Sequence, residues 1–122
     1  MAWFEFRQNN SGGSFDFDPQ YGIGHHVWIE ALDYEQANVR ALTIGIYFDG
    51  CADGVDCDCC GDRWSEAWDT DGQEYPDINA QYDFSWDDAV YLHPLEGPFV
   101  VARSGNYHEI LSQFIPTNIG TA

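Results

Sequence analysis

The sequence predicts a small α+β fold: an antiparallel sheet made from a β-hairpin, a strand, a helix and a strand, then a cysteine-rich corner, and a C-terminal hairpin with a short helix. Three observations carry that expectation. Residues 3–7 and 14–18 alternate apolar and polar side chains, residues 34–44 hold an apolar stripe of helical period, and all four cysteines fall within residues 51–60. At 122 residues the chain suits one domain, with residues 1–72 as a βββαβ core and residues 73–122 as an extension packed on it.

The elements follow in order. Phe4 and Phe6 share one face of the first strand, and Phe15 and Phe17 share one face of the second. Between the two strands, residues 8–13 are turn formers, so the pair reads as a hairpin with a flexible tip. A third strand spans residues 25–31, with Val27, Ile29 and Ala31 on one side. The pair His25-His26 opens it, which sends the two rings to opposite faces. Asp33 and Gln36 have capping-box spacing, Tyr34, Ala37, Ala41 and Ile44 form the helical stripe, and Gly45 suits the left-handed position that ends the helix. Residues 46–48 then read as a short buried strand.

Beyond the cysteines, residues 63–68 suit a strand that turns at Asp71-Gly72, where an Asp-Gly turn is favoured over a calcium loop. Residues 90–93 and 99–101 flank a proline-stiffened loop and suggest the second hairpin. Asn106 and Glu109 form a capping pair, Tyr107, Ile110, Leu111 and Phe114 a stripe, and Pro116 a stop.

Charge narrows the function. Twenty-one acids oppose four Arg, with no Lys, for a formal charge of −17. The acids are spread along the whole chain, so the surface repels nucleic acid and anionic membrane and attracts basic protein surfaces or cations. The first residues lack a basic, apolar leader, and no run approaches the ~20 apolar residues of a membrane helix. The expectation is a cytoplasmic protein with reduced thiols.

Cys57 and Cys60 have the C-x-x-C spacing of a zinc knuckle, and Gly61 follows. Cys59 or Cys51 would supply a third ligand to one structural zinc ion. A single knuckle is half a zinc site, so reduced packing cysteines and a redox disulfide stand beside the metal. No phosphate-binding glycine loop, nucleophile elbow or metalloprotease helix is present, and no catalytic residue is assigned.

The runs Arg7-Gln8-Asn9-Asn10-Ser11-Gly12-Gly13-Ser14-Phe15, Ile44-Gly45-Ile46-Tyr47-Phe48-Asp49-Gly50 and Asp56-Cys57-Asp58-Cys59-Cys60-Gly61-Asp62-Arg63-Trp64 resemble a family of small uncharacterised proteins encoded by tailed bacteriophages. The resemblance covers about the first 75 residues. It implies a phage origin, and with it the cytoplasm of an infected bacterium; the family has no assigned activity.

Three functions are consistent with this. The leading one is a non-catalytic acidic accessory protein that binds a host protein with a basic surface, for host takeover or anti-defence, by nucleic-acid mimicry in one version. The second sequesters a nucleotide signal, with Asn9, Asn10 and Ser11 offering backbone N–H groups and Arg7, Arg63, Trp28 and Trp64 gripping phosphate and base. The third is a virion component such as a capsid decoration protein. Self-association into a homo-oligomer is left open.

Overall fold

The computed structural model describes residues 1–9, 15–57, 60–79, 81–82, 84 and 89–115. Among the described residues, four strands and two helices follow in the order β1 (Ala2–Arg7), β2 (His26–Ala31), α1 (Tyr34–Ile44), β3 (Val90–His93), β4 (Val100–Ala102) and α2 (Tyr107–Leu111), with a 3-10 turn at Pro19–Tyr21 between β1 and β2. The α+β class is as expected. The sheet runs β1-β2-β3-β4, with antiparallel outer pairs and a parallel central pair. A parallel neighbour needs a long crossover, which α1 and the irregular chain after it provide.

Strand alternation gives the sheet two buried faces. Phe4, Phe6, Val27, Ile29 and Ala31 pack on one side with Ala37 and Ala41 of α1, Ile46, Trp64 and Ala67. Trp3, Trp28, Val90, Leu92 and Ala102 pack on the other with Ile78 and with Tyr107 and Leu111 of α2. Large side chains such as Phe6, Trp28 and Ile29 are almost fully buried, and each contributes about 1.5–3 kcal/mol of transfer free energy.

The ends of α1 form as their residues dictate. The Asp33 carboxylate accepts from the Gln36 N–H at 2.8 Å, and the Gln36 side chain accepts from the Leu32 N–H at 2.7 Å. Gly45, at φ 111°, donates to the Leu42 carbonyl, while Ile46 donates to the Ala41 carbonyl. These two bonds make a Schellman end and drop Ile46 into the core. Arg40 reaches from α1 to the backbone oxygens of Glu30, His93 and Pro94, so its guanidinium ties the ends of β2 and β3 together.

Several expected elements are replaced. β1 pairs with β2, in register Phe4↔Ile29, instead of with residues 14–18. Gln8 is the physical reason: its buried side-chain amide takes both the N–H and the carbonyl of Asp16, so a side chain occupies the place of a neighbouring strand. Asp18 bridges Ile23 around the 3-10 turn instead. Residues 10–13 of the predicted hairpin tip, and Ser14 of the predicted second strand, lie outside the described residues.

Residues 46–48 are not a strand, because the Schellman end redirects the chain before a ladder can start. Phe48 packs its ring against Phe6 at 6.1 Å. Residues 63–68 are not a strand either; the Asn38 side chain clasps the N–H and carbonyl of Ala67 at 2.8 and 3.1 Å. The C-terminal hairpin is present, but β3 lies beside β2, so residues 90–102 are half of the sheet and not an appendage to it. Asn106 does not cap the helix with its side chain; its carbonyl oxygen Oδ1 accepts from the Arg103 N–H at 2.7 Å. Pro116 lies outside the described residues. Among the described residues no helix is long and apolar enough to cross a membrane.

Candidate functional site

The cysteine-rich corner is organised around Asp56. Its carboxylate accepts from the Tyr47 hydroxyl at 2.7 Å and from the Arg63 N–H at 2.8 Å, with the Arg63 Nε 3.8 Å away. Arg63 also donates to Tyr47 Oη at 3.2 Å and to Gln8 Oε1 at 3.1 Å, and it lies 3.5 Å from the Asp16 carboxylate. Burial, reinforced by the bond to Asp56, pushes the Tyr47 hydroxyl above its ordinary value. Gly50 is required beneath this lattice, because a Cβ there would stand 1.9 Å from Asp56 Oδ2.

The cysteines sit around the rim of that lattice. Cys51 directs its Sγ to the Cys57 carbonyl at 3.3 Å, and its N–H donates to Asp62 Oδ1 at 2.9 Å. Cys60 and Gly61 both donate to the Cys57 carbonyl, with Gly61 at φ 87°. This is the tight turn expected of the C-x-x-C spacing. Cys59 lies outside the described residues. Among the described residues no group of three or more His, Cys, Asp or Glu is arranged to hold a metal ion.

A second polar network lies on the opposite face of the sheet. Glu5 and His26 come from neighbouring strands, and Oε2 of Glu5 lies 2.8 Å from Nδ1 of His26. The same oxygen accepts from the Tyr82 hydroxyl, which in turn accepts from the Trp28 indole N–H at 3.0 Å. Burial works against the Glu5 anion, but the hydrogen bonds from His26 and Tyr82 outweigh it and hold Glu5 below the ordinary carboxyl value. Burial and the Glu5 charge push Tyr82 far up, so it remains a donor. His25 stands before the strand, not in it, and its ring centroid is 4.3 Å from that of His26. The opposite-face expectation therefore gives way to a ring contact.

An opening lies on the outer side of β1. A cleft of about 380 Å³ is lined by Glu5, Arg7, Ser65, Glu66, Asp71 and Gln73. A second hollow of about 200 Å³ shares Ser65 and Glu66 with it and is walled by Phe48, Asp49, Asp62, Trp64 and Trp68. Together they bring five carboxylates and one Arg to a single groove. Trp68 is 64% exposed at its side. A turn fixes it there: its N–H donates to Asp71 Oδ2 at 2.8 Å, and the Asp71 N–H returns to the Trp68 carbonyl at 3.0 Å. Asp49 enters this wall in a left-handed conformation, φ 58°, which Asp tolerates better than most residues.

The residues anticipated for binding are not gathered at one place. Arg7 is exposed in the cleft, and Trp64 is buried in the wall of the second hollow. Arg63 is buried in the Asp56 lattice, and Trp28 is buried on the other face of the sheet. Asn9 uses its side chain on the carbonyls of Cys60 and Asp62; Asn10 and Ser11 lie outside the described residues. Glu5, Glu66, Trp68 and Asp71 were missed by sequence reasoning. The available signal was the run of acids around an aromatic in residues 64–71, read there as a strand and turn.

No match was found among curated proteins or solved structures at a significant level. One family model does match, over residues 1–112. The chain belongs to the family described as a domain of unknown function (DUF7296).

Proposed function

We propose that this chain is an acidic binding protein of phage origin that engages a basic segment of a host protein in the cytoplasm of the infected cell. One observation supports this above the rest: the two adjoining hollows put Glu5, Asp49, Asp62, Glu66 and Asp71 around a groove beside the exposed Trp68 ring. A Lys or Arg entering it meets carboxylates on both walls and an aromatic face for cation–π contact. The formal charge of −17 speeds the encounter with a basic surface and keeps nucleic acid away.

The test is a calorimetric titration with a lysine-rich peptide and an aspartate-rich control of equal length, at low and high salt. The lysine peptide binds with an affinity that falls as salt rises, Glu66→Lys weakens it at least tenfold, and the control does not bind. Equal binding of both peptides, or none by the lysine peptide, overturns the proposal.

A further inference from the structure

β1 is an edge strand whose outer side is bridged at its two ends. Trp3 exchanges both backbone hydrogen bonds with Gln73, at 2.7 and 2.8 Å, and the Asn9 N–H donates to the Arg63 carbonyl at 2.7 Å. In an antiparallel pair, alternate residues turn both backbone groups to the same side. Glu5 and Arg7 have the same parity as Trp3 and Asn9, so their N–H and C=O groups also face outward. Gln8 has the opposite parity and donates inward, to the His25 carbonyl at 2.8 Å. Among the described residues no backbone group outside the sheet bonds to Glu5 or Arg7. The 380 Å³ cleft faces them instead, within the ~300–1,000 Å³ range of ligand sites.

An open stretch of edge between two closed points is a template for one short piece of extended chain. We propose that the basic partner enters this slot as an added β-strand, pairing over about three residues with the backbone of Glu5 and Arg7. This rests on the basic-partner reading and says how the partner is held. Side chains directly opposite across an antiparallel pair meet. A Lys or Arg opposite Glu5 is therefore favoured, and a second one opposite Arg7 is disfavoured. Glu66 and Asp71, on the far wall, supply charge complementarity to the flanking residues. Because the added strand runs opposite to β1, recognition reads an uncharged or acidic position followed two residues later by a basic one.

The test uses an acetylated, amidated hexapeptide, Thr-Val-Thr-Val-Lys-Val, which sets its one lysine opposite Glu5 and a threonine opposite Arg7, N-methylated at one amide at a time, with the protein unchanged. Strand addition predicts a period-two pattern: methylation at amides that face β1 weakens binding at least tenfold, and methylation at the intervening ones changes it less than twofold. Arg7→Ala keeps the outward N–H and removes a like charge, so it binds the parent peptide at least as tightly. Arg7→Pro removes the N–H and binds at least tenfold more weakly than Arg7→Ala; should it not fold, the methylation scan decides alone. Binding with a flat methylation pattern overturns strand addition and leaves the acidic groove standing. No binding of the parent peptide overturns both.

Discussion

Replacing Asp56 by Ala tests what holds the cysteine-rich corner. The carboxylate is 1% exposed and Arg63 beside it 9% exposed, so removing the acid leaves a guanidinium with little access to water. Breaking a buried pair from one side costs about 3–5 kcal/mol. Gln8 at 3.1 Å and Asp16 at 3.5 Å still reach Arg63, which sets the loss at the low end, about 3 kcal/mol. For 122 residues, about 2.1 cal/mol/K of unfolding entropy per residue makes that a fall of about 12 °C in Tm. Near-UV circular dichroism during heating measures it, and Asp53→Ala, an exposed change in the same segment, stays within about 0.5 kcal/mol of the parent. A loss below about 1 kcal/mol for Asp56→Ala, together with a large fall of the parent Tm on adding a zinc chelator, would show that metal and not Asp56 pins the corner.

Two further predictions concern the core. Asn38→Asp keeps the acceptor for the Ala67 N–H but removes the donor to the Ala67 carbonyl, so urea unfolding detects a loss of about 1–3 kcal/mol; an unchanged midpoint would refute the clasp. His93 is buried, which lowers its imidazole from the ordinary 6.5, and the Arg40 charge lowers it further against the bond to the Gly22 carbonyl. Its folded value is depressed, so the unfolded chain binds more protons between the two values. That contribution to stability is present above pH 6.5 and is lost as pH falls through the folded value. His93→Gln flattens the stability–pH curve just below pH 6.5; an unchanged slope there would count against it.

What the sequence made legible was local. Asp33, Gln36 and Gly45 announced α1 because capping acts within a few residues, and the proline-stiffened loop announced the β3–β4 hairpin. The partner of β1 was hidden because the Gln8 side chain imitates a strand backbone. The segment from Cys60 to Ala67 was hidden because Asn38, Asp56 and Asn9 hold it with side-chain bonds that leave no periodic trace. Of the binding candidates, Arg7 and Trp64 border the groove. Glu5, Glu66 and Asp71 did not stand out among 21 acids, because the cleft arises only when residues 65–73 bow away from β1 between the Gln73 and Arg63 bridges.

Amide chemical-shift mapping of the ¹⁵N-labelled protein with the single-lysine hexapeptide tests the central claim most directly. Binding at the groove predicts saturable shifts concentrated at Glu5, Arg7, Ser65, Glu66, Trp68, Asp71 and Gln73, with α2 unmoved. Shifts that centre on α2 or on the outer face of α1, or a spectrum that does not change, would contradict it.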